Sequence, residues 1–424
     1  MKDLENFLQA VQDKIGQAKF SERLKAIDDA LAGDIRYSSR TPDDNLFFYI
    51  AICTAPYRGK TTSYIATEYS RIYPMLLNLN KKWIYTREIK NFENKFDELC
   101  AEKPSQSVDS FFFEILVAIS YVEQGYFVEF IEKISTKTPD IRISKNSITR
   151  YVECKKLQRA NASSYEELDA WYRLIDKLSQ AIYPSSLCGQ IHFKFKSQIE
   201  NVNIKHTKRK LINKIKTRRH NKSFKIIDNN NLKIVFRPFK DGTILTELNP
   251  CRHVTSPSLI YFLTNSYNYR FIYRTCMLAA STWKGYVEKI KRAIIFSCQL
   301  AYTDFPQVRS QYIKRRLCEA ANQITSSQPG NVHILVEECH GEITYHERCK
   351  KNIDAILNFR DINRGVEHIF IHYIKYITPP DKLFEIEETV QCFRRTDIPP
   401  VEMPPIWYPV AEYSNGYGTL LTDY

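Results

Sequence analysis

Glycine is scarce in this 424-residue chain, 12 in all, where average usage near 7% would supply about thirty. Phosphate-cradling loops depend on glycine, and the one GxG, Gly416-Tyr417-Gly418, has neither a strand before it nor a helix after it; a dinucleotide-binding site is not expected. Arg58-Gly59-Lys60-Thr61-Thr62 imitates the end of a Walker A loop, but Thr54 stands where its first glycine is required, so NTPase chemistry is not expected. The 11 cysteines include no CxxC pair, the pattern of reduced core thiols and not of a disulfide framework. Cys339, His340, His346 and Cys349 lack the paired spacing of zinc ligands. No GxSxG or HExxH occurs, which leaves serine hydrolase and metalloprotease chemistry without support. The longest nearly apolar run, Phe111 to Val122, contains Glu114 and falls short of the roughly 20 residues that span a bilayer. The opening MKDLENFLQAVQDK mixes charges of both signs, unlike a signal peptide. The expectation is a cytoplasmic protein with no membrane partner.

Positive charge is plentiful but local. The 61 Lys and Arg exceed the 48 Asp and Glu by 13, and Lys205 to Lys225 holds ten of those cations without one acid. At helical spacing Leu211, Ile212 and Ile215 form a narrow apolar stripe. Lys208, Arg209, Lys210, Lys216, Arg218 and Arg219 spread around the remainder, an arrangement suited to nucleic-acid phosphates, with DNA the expected partner. Lys284 to Arg292 and Arg309 to Arg316 form a second basic stretch.

Periodicity divides the chain into three parts. Residues 1–104 read as a helical N-terminal domain with segments at Leu4 to Ile15, Ala18 to Leu31, Leu46 to Ala51 and Thr62 to Leu77. Residues 105–378 read as an α/β domain carrying the basic insertion 205–225. From Pro379 onward, where seven of the 18 prolines fall, residues 379–424 read as an irregular surface tail. Within the α/β part, Ser107 or Asp109 caps a helix that Gly125 stops. Strands follow at Tyr126 to Ile131, Asp140 to Ile143 and Ile148 to Leu157, then a helix from Glu166 to Ile182 and a strand from Gln190 to Lys196. The order is α-β-β-β-α-β. Later segments (a strand at Leu232 to Phe236, helices at Lys284 to Leu300 and Gln311 to Ile324, a strand at Val332 to Glu337, a helix at Lys350 to Phe359 and a strand at Val366 to Tyr373) read as additions to one sheet.

Chemistry concentrates on the hairpin. If Asn146-Ser147 is a two-residue turn, cross-strand partners sum to 293 and Asp140 lies opposite Glu153, with Lys155 on the same face. Two carboxylates that close repel unless a cation separates them, and hard oxygen ligands of this kind suit Mg²⁺, with Mn²⁺ able to substitute. Lys155 is placed to orient or help deprotonate a bound water. Glu114, the one charge between Ser110 and Val122, needs a partner if its helix is buried, and can join the two carboxylates as a direct or water-mediated ligand.

Glu114 on a helix, then Pro139-Asp140, then Glu153-Cys154-Lys155 resembles, in order and in element, the PD-(D/E)xK nucleases of the restriction endonuclease-like superfamily. The resemblance covers residues 107–200. It implies a mixed central sheet flanked by helices, Mg²⁺ held by Asp140 and Glu153 with support from Glu114, water activation assisted by Lys155, and hydrolysis of phosphodiester bonds, most naturally as a DNA endonuclease. A further Gln and Tyr found after ExK in some members correspond to Gln180 and Tyr183. The rival reading is a nucleic-acid-binding protein that keeps the fold without cleaving. Oligomeric state is not legible.

Overall fold

The computed structural model describes all residues except 1, 33–44, 59–62, 103–106, 133–137, 158–161, 183–186, 218–221, 240–245, 254–256, 267–271, 282–285, 302–304, 326, 339–341, 360–364, 378–384, 396, 399–402, 405 and 407–424. The architecture is α/β with two mixed sheets. The first has the order β1(Ile89–Lys90), β2(Phe127–Phe130), β3(Ile141–Lys145), β4(Ile148–Leu157), β11(Gly330–Glu338), β12(Val366–Ile377), β13(Glu385–Arg394). The second runs β6(Phe224–Asp228), β7(Leu232–Pro238), β5(Gly189–Phe195), β10(Tyr286–Leu300), β8(Thr246–His253), with β9(Ile272–Ser281) also on β10. The expectation of one enlarged sheet is therefore corrected. β4 finds its parallel neighbour in β11, about 170 residues downstream, and the chain between builds a sheet of its own.

The helical expectation for the N-terminal part holds in α1(Glu5–Ile15), α2(Gln17–Ala32), α3(Asn45–Thr54) and α4(Ser63–Lys81), with α5(Phe92–Cys100) added. These helices do not have a core of their own. Phe7, Phe47, Phe48, Ile72 and Phe96 share one buried cluster with Phe111, Phe112 and Ile119 of α6(Val108–Glu123) and with Ile141, Val152 and Leu335 of the first sheet. β1, also from this region, pairs in parallel with β2.

Ser107 caps α6, its hydroxyl accepting from the Ser110 amide at 3.3 Å, and Gly125 (φ +78°) provides the left-handed residue that ends it. The helix is buried along nearly its whole length because it lies between the N-terminal helices and the sheet. On the other face of that sheet, α10(Phe305–Ala321) and α11(Glu342–Leu357) bury Ile313, Leu317 and Ile356 against Leu157, Val332, Ile334 and Ile371. Gly330 opens β11 where it meets β4: a Cβ there would lie 1.8 Å from the Tyr151 carbonyl oxygen, so glycine is what allows the two strands to meet.

Two further expectations are corrected. Where a helix is expected over Lys284 to Leu300, the described part, Tyr286–Leu300, is the strand β10. Its apolar residues Val287, Ile290 and Ile294 fall at helical spacing because the pairing register shifts between Val287 and Lys289 and again between Ile290 and Arg292. Each irregularity breaks the strict alternation of an ordinary strand. The stretch after Pro379 is likewise not simply irregular. β13 pairs antiparallel with β12 along its length, and Met403 and Ile406 are buried in the first core. A polar chain fixes this end. Tyr121 Oη lies 2.9 Å from His333 Nε2, His333 Nδ1 lies 3.1 Å from His372 Nε2, and His372 Nδ1 lies 3.0 Å from Glu388 Oε1. Glu388 Oε1 also accepts from the Ile406 amide at 3.0 Å. Burial, reinforced by the neighbouring histidines, holds His333 well below the usual histidine range, so it stays neutral and bridges as donor and acceptor. Among the described residues no helix is long and apolar enough to cross a membrane.

Candidate active site

The hairpin forms as its sequence dictates. Asn146 (φ 51°) and Ser147 (φ 64°) both adopt positive φ, the requirement of a tight two-residue turn whose twist matches its strands. The register that follows pairs Ile141 with Val152, Arg142 with Tyr151 and Lys145 with Ile148, a constant sum of 293. Asp140 immediately precedes the last pair of this ladder, and its charge acts on Glu153. Alternation along β4 sends Val152 and Cys154 into the core under α6 and turns Glu153, Lys155 and Leu157 to the face covered by α10.

Asp140 and Glu153 are both buried, at 6% and 1% exposure. Asp140 Oδ2 accepts from the Cys154 amide at 2.9 Å, which ties the loop before β3 to the middle of β4. Glu153 forms an ion pair with Lys155 through Oε1, while its Oε2 is buried without a hydrogen-bond partner among the described residues. Burial pushes the Glu153 carboxyl well above the usual carboxylate range; the Asp140 charge adds to that push and Lys155 offsets part of it. Burial works against the Lys155 ammonium, but Glu153 and then Asp140 outweigh it and hold the amine above its ordinary value. Lys155 is accordingly a charged donor and not a base.

Glu114 has a different situation. It is 3% exposed and forms an ion pair with Lys95 of α5, whose ammonium also sits 4.6 Å from the centre of the Phe111 ring. Its charge reaches Glu153, adding a smaller upward push, yet its carboxylate is neutralised from the N-terminal side. The structure thus brings Asp140, Glu153 and Lys155 together on one face and holds Glu114 behind them.

Sequence reasoning missed Gln323, just past α10. Lys155 Nζ donates to its Oε1 at 3.1 Å, and its Nε2 donates to the Thr138 carbonyl at 3.4 Å. It therefore links the lysine to the loop that carries Pro139 and Asp140. Nothing in the sequence marks it, because the pairing of β4 with β11 is what delivers α10 to this place. Gln180, the expected residue, is exposed on α7(Ala162–Ile182), which packs with the second sheet, and Tyr183 lies outside the described residues.

Hard, buried carboxylate oxygens with one orphaned acceptor fit a divalent ion such as Mg²⁺, which is held by one or two carboxylates and completes its shell with water and substrate phosphate. Among the described residues no group of three or more His, Cys, Asp or Glu gathers around one point, so the fit is to a site with two carboxylates. Asp140 and Glu153 are the residues that would hold the ion.

Compared with protein-family models, with curated proteins and with solved structures, the chain matches none.

The basic segment folds as α8(Ile204–Thr217). Leu211 and Ile215 are buried in the second core and Ile212 is half-buried, while Arg209 and Lys210 are exposed and Lys208 half-exposed. The Lys216 side chain and all of Arg218 and Arg219 lie outside the described residues. If Arg209 and Lys210 touch phosphates, Arg209→Gln with Lys210→Gln will reduce the slope of log K against log salt by about one unit per lost contact and weaken binding across sequences. Fluorescence anisotropy of labelled duplexes over a salt series measures this, and an unchanged slope places α8 away from the nucleic acid.

Proposed function

We propose that this chain is a Mg²⁺-dependent nuclease that hydrolyses phosphodiester bonds, with DNA as its substrate and internal cleavage as its mode. One observation carries the reading: the buried carboxylates of Asp140 and Glu153 lie close enough to act on each other, Lys155 pairs with Glu153, and one buried Glu153 oxygen has no hydrogen-bond partner among the described residues. The order of elements supports a restriction endonuclease-like core made of α6, β2, β3, β4, α10 and β11, with residues 158–304 inserted between β4 and α10. α7 and β5, which cover the helix and strand expected there at Glu166 to Ile182 and Gln190 to Lys196, pack instead in the second sheet and its core.

Each side chain has a task in this scheme. Asp140 and Glu153 would hold the ion, and the Cys154 amide fixes the Asp140 carboxylate for that role. Lys155, kept charged, orients the attacking water and stabilises negative charge as it develops on the phosphoryl oxygens. Gln323 fixes the lysine's direction. Glu114 and Lys95 form a neutral support behind the pair. The bound ion supplies Lewis-acid polarisation of the scissile phosphate.

Incubation of supercoiled plasmid with purified full-length protein tests the proposal. Nicked and linear products with Mg²⁺ or Mn²⁺, and none with EDTA, are expected. DNA retention without cleavage in either metal favours the binding-only alternative, and matched RNA separates the two substrate classes.

A further inference from the structure

One face of the second sheet carries a group of cations that the active site does not use. The sheet has two different sides. Ile191, Phe193, Phe195, Ile234 and Phe236 pack against α7 and α8; the alternate residues point to the other side. There the antiparallel register of β5 and β7 sets Lys194 directly against Lys233 and Gln190 against Arg237. Lys225, paired with Val235 on β6, extends the group, and Lys196 lies one step beyond Lys194. Arg237, Lys196 and Lys225 are exposed and Lys194 and Lys233 half-exposed. The acid in this group is Asp228, already held by Lys225 at 3.0 Å and Lys196 at 3.6 Å. Lys194 and Arg237 form no ion pair among the described residues, and Lys233 shares Asp228, its cross-strand neighbour on β6, with those two lysines.

Like charges directly opposite one another in a sheet are destabilising, and Asp228, across from Lys233 on β6, offsets only part of this repulsion because Lys225 and Lys196 share it. The floor between them is polar and fixed. Gln190 donates to Ser297 Oγ at 2.9 Å, and His192 Nδ1 lies 3.0 Å from the same oxygen. Burial, with Arg237, Lys194 and Lys233 contributing, lowers the His192 pKa to about 4, so near neutral pH the charge of this face resides in the lysines and the arginine. Phosphate oxygens spaced along a nucleic-acid strand complement such a row of cations.

We propose that this face of the second sheet, centred on the opposed Lys194 and Lys233 with Arg237 beside them, binds the phosphate backbone of nucleic acid, separately from the active site and from α8. The proposal rests on the nucleic-acid reading but not on cleavage. It gives the insertion a role, as a module that holds substrate while the first sheet carries the chemistry.

The test uses the full chain in EDTA with a fluorescein-labelled 30-base-pair duplex, titrated by anisotropy from 50 to 300 mM salt. Lys194→Gln, Lys233→Gln and Arg237→Gln combined are expected to lower affinity at least tenfold and to reduce the salt slope by roughly two to three units, about 0.9 per lost phosphate contact. The Tm should stay level or rise as the repulsion is removed, and Lys194→Arg with Lys233→Arg should retain binding. An unchanged slope and affinity in the triple variant overturn the proposal, as does equal binding of polyglutamate by the wild-type chain, which would mark a general polyanion surface. Plasmid cleavage by the same preparations separates the two ideas. Cleavage with an unchanged slope sinks this face alone, whereas lost binding in the variant of a wild-type chain that never cuts sinks the nuclease reading alone.

Discussion

Replacing Asp140, Glu153 or Lys155 by alanine is expected to reduce plasmid cleavage by about 100- to 1000-fold while leaving DNA affinity within a few-fold of wild type. Each change removes charge from the reacting centre, where preorganised electrostatic contacts are each worth roughly 10²–10³ in rate. The losses should not add, because groups acting as a unit fail together; Asp140→Ala with Lys155→Ala should be no worse than the poorer single variant. Gln323→Ala removes an orienting contact and not a charge, so a smaller loss, about tenfold, is expected. Single-turnover cleavage assays give all of these values. Wild-type rates in any one of the three alanine variants would remove that residue from the chemistry.

Lys95→Met is expected to cost about 3–5 kcal/mol of stability, among the largest effects of any single change, since it strands the Glu114 carboxylate in an apolar interior. Adding Glu114→Gln should recover most of the loss, because a neutral amide no longer requires a counter-charge. Thermal and denaturant unfolding of the two single variants and the double variant measure the coupling. A cost near zero for Lys95→Met would show that Glu114 is satisfied from another direction, with the hairpin carboxylates as the nearest source of a shared ion.

What the sequence revealed and what it hid divide along physical lines. The hairpin was legible because its register depends on local chemistry: a two-residue turn at Asn146-Ser147 and an alternation that places a whole face at once. The cap at Ser107 and the stripe of Leu211 and Ile215 were legible for the same reason. The pairing of β4 with β11 was not, because a parallel crossover carries no signal of which distant strand it joins, and β5 offered an equally good pattern nearer in sequence. β10 hid behind its irregular register, which imitates a helical period. Lys95 escaped notice as the partner of Glu114 because it lies on an amphipathic helix whose burial only the shared core reveals. The opposed lysines of β5 and β7 became visible only with their register.

Mn²⁺ binding to the wild-type chain and to Glu153→Gln, followed by calorimetry across pH in the absence of DNA, tests the central claim most directly. An ion requires the ionised carboxylate, and Glu153 takes up its proton at a higher pH than an ordinary glutamate. Affinity should therefore fall as pH is lowered through that raised value, with proton release on binding. The linkage to stability has the opposite sense. The protonated form favours the fold, a contribution fully present below the unfolded value and lost as pH rises through the folded one. In EDTA, Glu153→Gln should thus melt on the order of 1–3 °C above wild type at pH 8 and show little gain at pH 4. The account predicts one wild-type Mn²⁺ site that Glu153→Gln abolishes; Mn²⁺ binding of equal strength in both chains, or none in the wild type, would contradict it.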